Sequence, residues 1–466
     1  MLIPRWFLGV SSLLIFTTGS LTGCRVGEPL QVDDLRTQLE IADSFGTGSP
    51  EATRDGWLGD FGDEGLVDIV DEAVAGNPDL AVAAAQVDRA AAIARQAGAS
   101  LSPAVSLGAG GYTSDSDLGR SSQGGASLDF AWELDLWGRV RSQVSAAENQ
   151  YLATELTYEY AKQSLAAQVA KSWFLCIETH LQVQIAQSAV DIYEQTKKIT
   201  QGMYDLDAIP LSDVQLAEAD LASANEALRE AMGADQQARR ALEMLAGRYP
   251  SAEIEVATDF VAVPPDIPVG LPSELLERRA DVVAAERRVA AAFENVRVAQ
   301  AARLPRVAIT ASAGTTSDSF RELSNPANSF WNLGSNLLAP LFDGGYLKSE
   351  QDIATAEQKA AVAEYRSVGL KAFGEVENAL SNEKFLAERE QFLAEALTKN
   401  QQVWELANKR YEAGDIDLLS VLQLQKRVLN ARVALVHLHA LRLAERVNLH
   451  LSLGGNFESP DSQPEE

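Results

Sequence analysis

Few side chains in this sequence have the types and spacing that catalysis or metal binding requires. His437 and His439 are two positions apart in a helical pattern, so their imidazoles point in different directions, which is poor geometry for a shared metal. The run Gly108-Ala109-Gly110-Gly111 lies in an alternating strand pattern and lacks a following helix, which argues against a nucleotide-binding loop. Asp115 and Asp117 lie in a polar stretch that we interpret as a loop, where solvation is favoured over a calcium site. We therefore expect no enzyme activity, no metal and no cofactor.

The clearest covalent chemistry belongs to Cys24. The apolar run from Trp6 to Phe16 is too short for a transmembrane helix and is typical of a secretory signal over residues 1–23. Leu21-Thr22-Gly23-Cys24 resembles the bacterial lipobox, which implies that Cys24 becomes the mature N-terminus and carries S-diacylglycerol and N-palmitoyl chains. Residue 25 is Arg rather than Asp, which by the same resemblance favours the outer membrane. An ordinary signal with a chance cysteine is the alternative.

The composition restricts the partners that this chain can have. It has 466 residues, of which 46% are hydrophobic, a net charge of -27 and a pI of about 4.6. Nucleic acid requires basic patches, so we expect no nucleic-acid partner. Cys176 lies in a helical pattern and is expected to be a small buried hydrophobe. No stretch reaches 18 consecutive apolar residues, so any membrane crossing by the mature chain must use β-strands.

The chain contains one domain twice. Residues 66–247 align with residues 273–454, at an offset of 202 near the start and 207 further on. The aligned pairs include Asp79 with Asp281, Pro103 with Pro305, Tyr204 with Tyr411, Leu221 with Val428 and Gly247 with Gly454. A repeat of about 180 residues is too long for a solenoid unit and indicates a duplicated domain. We expect an acylated extended segment at 24–65, a connector at 248–272 and an acidic disordered tail at 455–466.

Each copy contains two stretches in which apolar and polar residues alternate, as they do in strands with one apolar face. The predicted strands are 103–114, 124–135, 305–315 and 329–340. Trp132, Phe330 and Trp331 lie near strand ends, where a membrane-interface belt would place aromatic side chains.

A long helix follows the strands in each copy. Residues 139–201 contain neither Pro nor Gly, and their apolar residues recur at coiled-coil spacings over roughly 95 Å of helix. The pattern breaks at about 202–213, after which a shorter helix returns, and the second copy breaks at about 411–420. Two apolar stripes on each helix indicate contacts on both sides, as in a barrel of helices.

Four strands per chain cannot close a membrane barrel, because closure needs about eight strands and an open edge in lipid leaves backbone groups unpaired. If the strands are membranous, the chain must form an oligomer, with 8 strands in a dimer or 12 in a trimer. Strand counting does not choose between them. A small soluble β-domain between helical hairpins is the alternative.

Five motifs occur in a fixed order along the chain. They are Trp57…Phe61…Leu66 with Asn77-Pro78-Asp79-Leu80, Leu134-Asp135-Leu136-Trp137-Gly138-Arg139, the run from Gly270 to Asp281, Pro340-Leu341-Phe342-Asp343-Gly344-Gly345, and Arg410-Tyr411-Glu412-Ala413-Gly414. In this order and spacing they resemble the TolC-like outer membrane efflux proteins, and specifically their lipoprotein (NodT-type) branch. The resemblance covers nearly the whole mature chain.

The resemblance implies a mainly α-helical fold with a small β part. Long coiled-coil hairpins would form a periplasmic α-barrel, and a homotrimer would combine four strands per chain into a 12-stranded transmembrane β-barrel. The implied function is the passive outer membrane channel of a tripartite efflux system of the resistance-nodulation-division (RND) type, exporting small molecules. Its implied partners are outer membrane lipid, a periplasmic adaptor (membrane fusion protein) and an inner-membrane RND transporter. The chain would be lipid-anchored in the outer membrane, with its helices in the periplasm.

The resemblance also places the periplasmic closure at the two helix-turn-helix tips. Leu419 would lie near the constriction, and Arg410 and Tyr411 would belong to the bonds that hold the tip helices together. Gln423 stands where an acidic residue is usual in the family, and Asp207 stands where glycine is usual. The other candidate tip residues are Asp415, Asp417, Asp213 and Tyr204. A plain coiled-coil or surface role is the alternative for each of them.

Two rival functions remain at this point. A periplasmic coiled-coil lipoprotein that acts as a scaffold would need the anchor and the helices but no pore. Within the channel class, the outer membrane component of type I protein secretion would share the architecture, although the lipoprotein form and the 270–281 motif favour efflux.

Overall fold

The computed structural model describes Phe45 and residues 55–117, 119–265, 267–269 and 272–458. The signal sequence 1–23, Cys24, most of the segment 24–65 and the tail from 459 lie outside these residues. The chain divides into two compact units. One contains Arg95–Ala146 and Ala292–Glu357, and the other contains residues 55–94, Ala147–Ala291 and 358–458.

The first unit is built around a four-stranded antiparallel sheet. Its strands are β1 (Ala104–Ser116), β2 (Gly119–Leu134), β3 (Arg306–Ser317) and β4 (Ser329–Leu338), in the order β1-β2-β3-β4. The two copies of the repeat therefore meet at the centre of the sheet, where β2 pairs with β3, while β1 and β4 form its edges. The β1–β2 hairpin is longer than the alternation predicts, because pairing continues through the polar Ser/Gly stretch to Ser116 and Gly119. Asp115 consequently lies in β1 rather than in a loop.

The strand register sorts side chains onto an apolar and a polar face. Two neighbouring rows on one face are Val105, Phe130, Ala311, Leu333 and Leu107, Leu128, Ala313, Trp331. The row between them on the opposite face is Ser106, Asp129, Ser312, Asn332. The apolar face is largely uncovered in one chain, since Leu107 and Trp331 are each 79% exposed.

Short polar contacts fix the start of the first long helix next to the sheet. Arg139 makes a bidentate ion pair with Glu133 at 2.9 and 3.0 Å. The carboxylate of Asp135 accepts from the backbone N–H groups of Val140 and Arg141 at 3.0 and 2.9 Å, which satisfies donors at the helix N-terminus. In the second copy, the Asp343 carboxylate accepts from the backbone N–H groups of Gly345 and Leu347 at the start of the second long helix.

Eight α-helices occur in the described part of the chain. They are α1 (Glu64–Gly76), α2 (Pro78–Ala99), α3 (Arg139–Asp205), α4 (Leu211–Leu245), α5 (Pro272–Arg278), α6 (Ala280–Ala302), α7 (Tyr346–Glu412) and α8 (Leu418–Ser452). Helices α3 and α7 each have 67 residues, or about 100 Å at the usual rise. No helix in this part of the chain combines the length and hydropathy of a membrane span.

The main core of the second unit lies where the 3₁₀ helix Trp57–Phe61 and α1 pack against α3 and α8. Its buried side chains include Trp57, Phe61, Leu66, Trp173, Phe174, Ile177, Leu443 and Val447. The Asp63 carboxylate caps α1 through the Leu66 N–H (3.1 Å) and accepts from Trp173 Nε1 (2.8 Å). One side chain thus starts a helix and fastens it to α3.

The duplication is visible as two equivalent joints in the second unit. Asn77 Nδ2 donates to the Leu245 carbonyl at 2.8 Å, and Arg279 Nη1, at the aligned position, donates to the Ser452 carbonyl at 3.3 Å. The glycine that follows each helix, Gly247 or Gly454, has φ near +70°.

The segments after α4 and α8 are both held to the helical body. Glu243, which is 2% exposed, accepts from the backbone N–H groups of residues 252, 253 and 254 at 2.7–3.0 Å. The tail predicted as disordered from 455 begins as ordered chain, because Phe457 is buried in the main core and the Asn456 carbonyl accepts from the Gly56 N–H.

Candidate functional site

The tips of the α3–α4 and α7–α8 hairpins have the same turn geometry. The breaks are residues 206–210 and 413–417, both narrower than the sequence pattern predicts. In the second tip the Gly414 and Asp415 N–H groups donate to the carbonyls of Tyr411 and Arg410, each at 2.9 Å. In the first tip the N–H groups of residues 207 and 208 donate to the carbonyls of 204 and 203 at 2.8 and 2.9 Å. Both are Schellman-type ends, which close a helix with two backbone bonds.

This turn requires one residue with positive φ. Gly414 adopts φ 78° in the second tip and Asp207 adopts φ 56° in the first. A glycine takes this conformation without steric cost, whereas an L-residue pays for it, although Asp is among the better tolerated. The departure from the family pattern at Asp207 therefore leaves a locally strained turn in the first tip only.

The returning helices begin differently in the two tips. Asp417 caps α8 by accepting from the Ser420 N–H at 2.7 Å. This hydrogen bonding lowers the pKa of the exposed Asp417 carboxyl, so the cap is ionised at neutral pH. Pro210 stands at the equivalent position of α4 and has no side-chain acceptor. Leu418 is then buried, while Leu419 is 49% exposed at the tip.

Tyr411 links the tips of the two copies. Its hydroxyl lies 3.7 Å from Met203 Sδ, and its ring packs against a small core that includes Leu418 and Leu422. Partial burial, and then the charge of Asp213, raise the pKa of Tyr411, so the phenol stays protonated and can donate. Tyr411, on the second copy, thus contacts Met203 on the first.

The other candidate tip residues are exposed in a single chain, except for the half-buried Asp213. The exposed residues are Arg410, Asp415, Gln423, Tyr204 and Asp207. Within the described residues, no ion pair or side-chain hydrogen bond of Arg410 is found. The tips also expose apolar side chains, since Leu206 is 81% exposed. One chain therefore presents a mixed charged and apolar tip surface.

Met203 was missed as a contact residue in the sequence. The repeat alignment pointed to this position, because Met203 aligns with Arg410 at the offset of 207. It is also next to the aligned pair Tyr204 and Tyr411. The contact joins one copy to the other across 208 positions, which periodicity within a single helix cannot indicate.

The two histidines near the end of the chain point to different helices. His437 Nδ1 lies 2.8 Å from Glu178 on α3, and His439 Nδ1 lies 2.6 Å from Glu390 on α7. Among the described residues, no cluster of three His, Cys, Asp or Glu side chains is arranged to hold a metal ion.

The sequence profile of the family described as "Outer membrane efflux protein" matches residues 69–248 and 271–455, and the chain belongs to this family. The pyoverdine export outer membrane protein OpmQ of Pseudomonas aeruginosa is 32% identical over 426 residues, covering 86% of this chain and 88% of OpmQ. The probable efflux pump outer membrane protein TtgC of Pseudomonas putida is 29% identical over 425 residues, covering 88% of this chain and 87% of TtgC.

Solved structures agree with this assignment. The outer-membrane channel OprN superposes with a TM-score of 0.86 at 27% identity, covering 93% of this chain and 100% of OprN. CusC gives a TM-score of 0.81 at 25% identity, covering 89% of this chain and 99% of CusC. The prediction of a mainly helical fold with four strands per chain is confirmed. The protein is an outer membrane channel of an efflux system and not an enzyme, and members of its family form trimeric channels in efflux pump systems.

Proposed function

We propose that three copies of this chain close a 12-stranded barrel in the outer membrane and form a passive conduit for small molecules. The observation that carries this proposal is that β1 and β4 each leave one edge unpaired among the described strands, next to an uncovered apolar face. In lipid, each unpaired backbone group costs several kcal/mol, so the edges require partners. Because four antiparallel strands leave β1 and β4 running in opposite directions, β4 of one copy can continue the antiparallel pattern with β1 of the next.

Cross-linking tests this closure directly. Ser106→Cys on β1 combined with Asn336→Cys on β4, treated with a flexible bis-maleimide, should give covalent trimers. The matched control is Ala131→Cys with Thr310→Cys, which are register partners on β2 and β3 and should be linked within one chain. Linked monomers from both pairs of variants would contradict the trimeric closure.

We further propose that the two tips form the periplasmic closure and the docking end for an adaptor and an RND transporter. The exposed side chains of Arg410 and Leu419 support this role. Arg410 has no side-chain partner among the described residues of one chain, and a neighbouring copy can supply one. The Tyr411–Met203 contact is weak enough to break during opening. Energy would come from the transporter.

Planar-bilayer conductance tests the closure. Arg410→Ala combined with Tyr411→Ala should raise the open fraction of the channel, since the variant loses the Tyr411–Met203 contact and the contact that we propose Arg410 makes with a neighbouring copy. Lys384→Ala, on the exposed surface of α7 away from the tip, is the control and should leave conductance unchanged. Equal conductance of the tip variant and the control would refute a gate at these residues.

We also propose that Cys24 carries the diacylglycerol and palmitoyl chains, which tether residues 24–65 to the outer membrane with the helices in the periplasm. The lipobox-like residues 21–24 support this anchor. Small-molecule cargo is supported by similarity to OpmQ and TtgC, whose names refer to pyoverdine export and efflux. No observation favours protein secretion, and the pore-free scaffold is wrong because the chain belongs to a channel family.

A further inference from the structure

Helix α8 is fastened to both neighbouring long helices at one level by a pair of histidines. His437 reaches Glu178 on α3 and His439 reaches Glu390 on α7, in each case through Nδ1. The two-residue spacing directs the rings to opposite sides of α8. All of these residues lie in the second unit.

The second ring nitrogen distinguishes the two histidines. Nε2 of His439 lies 3.3 Å from the carbonyl oxygen of Val261, in the connector between the copies, and the ring packs on Phe260 at a centroid distance of 5.0 Å. The His437 side chain is 55% exposed, and Glu178 is its one protein partner among the described residues. His439 thus bridges two acceptors, a carboxylate and a backbone carbonyl.

Both contacts can be hydrogen bonds at the same time only if both ring nitrogens of His439 carry a proton. A neutral imidazole donates one hydrogen bond, whereas an imidazolium donates two. The charged groups around the ring are Glu390 from α7, Arg442 from α8, which also pairs with Glu390, and Asp259 from the connector. The contribution of α3 to this neighbourhood is the apolar Leu181.

We propose that His439 is a proton-dependent latch that fastens the connector to α7 and α8. The protonated ring holds both Glu390 and the Val261 carbonyl, and loss of one proton leaves one of the two acceptors without a donor. The connector segment 259–262 forms part of the wall of an open cavity of about 810 Å³. The rest of the wall combines apolar side chains such as Leu435 and Val436 with polar ones such as Gln391 and Arg442. Release of Val261 therefore loosens this part of the cavity wall, so the latch is closed at acidic pH and opens as pH rises.

Hydrogen–deuterium exchange of the full-length protein in detergent tests the latch. After correction for the intrinsic pH dependence of exchange, the amides of residues 260–263 should exchange about three- to tenfold more slowly at about pH 5.5 than at about pH 8. The amides of 252–254 provide an internal control in the same connector, because they bind the Glu243 carboxylate, which stays ionised over this range. Equal corrected rates at 260–263 at the two pH values would overturn the proposal.

Two variants separate the latch from other titrating groups. His439→Gln should abolish the pH difference at residues 260–263, while His437→Gln, two residues away, should preserve it. Persistence of the difference in His439→Gln, or its loss in His437→Gln, would also overturn the proposal. If His439→Gln does not fold, the comparison of 260–263 with 252–254 in the wild-type protein decides the question alone.

Discussion

Gly414→Ala should loosen the second tip by about 1 kcal/mol. Gly414 has φ 78°, a conformation that costs an L-residue about 1–2 kcal/mol. A Cβ at this position would meet no atom of the described residues within 4 Å, so the cost is confined to the backbone. Alanine also stiffens the unfolded chain, which offsets roughly 0.4–1 kcal/mol. The remaining 1 kcal/mol corresponds to about a fivefold increase in local opening.

Hydrogen–deuterium exchange at residues 414 and 415 measures this opening, because these N–H groups donate to the carbonyls of Tyr411 and Arg410. Asp207→Gly should have the opposite effect in the first tip and slow exchange at residues 207 and 208, since it relieves the strain at φ 56°. Gly202→Ala, in the last turns of α3, is a control that should stabilise the helix by about 1 kcal/mol. Unchanged exchange in Gly414→Ala, or faster exchange in Asp207→Gly, would refute the reasoning about the two turns.

Three further predictions follow from single residues. Glu243→Gln should lower the free energy of unfolding by about 2–3 kcal/mol in denaturant titrations at pH 7. The single amide oxygen of Gln cannot accept from all three backbone N–H groups that donate to the carboxylate. A loss below about 0.5 kcal/mol would contradict this. Burial, and then the charge of Arg446, lower the pKa of His450 to about 3, so its stabilisation is full above about pH 6.5 and is lost as pH falls toward 3. Between pH 7.5 and pH 5 the free energy of unfolding should therefore fall by about 2 kcal/mol less in His450→Phe than in the wild type, as measured by thermal unfolding. An equal fall in the two proteins would contradict this. Cys24→Ala should abolish palmitate labelling while the protein stays in the membrane after an alkaline wash, and release by the wash would show that the acyl chains alone hold it there.

The strands and tips could be predicted because each leaves a local signal. Alternation marked the apolar rows that contain Leu107 and Leu333, and the absence of Pro and Gly marked the body of α3. The part of the β1–β2 hairpin near its turn left no such signal, because its Ser, Gln and Gly residues do not alternate between apolar and polar types. Pairing there is fixed by the continuing backbone ladder.

The contact partners of polar side chains in the second unit could be predicted only in part. The spacing of His437 and His439 shows that the rings diverge, but their glutamates lie 259 and 49 positions away on other helices. The repeat alignment brings Glu243 and His450 to equivalent positions, yet one binds three backbone N–H groups and the other stacks on Trp57 at 5.5 Å. Duplication conserved the helix ends while these two side chains took on different contacts.

Electron microscopy of the detergent-purified protein, with mass determination alongside, tests most directly whether neighbouring copies close the sheet edges. We expect a trimer with threefold symmetry, a detergent belt around a short barrel and a helical part of roughly 100 Å. A monomer, or a dimer of elongated rods without a detergent belt, would contradict it.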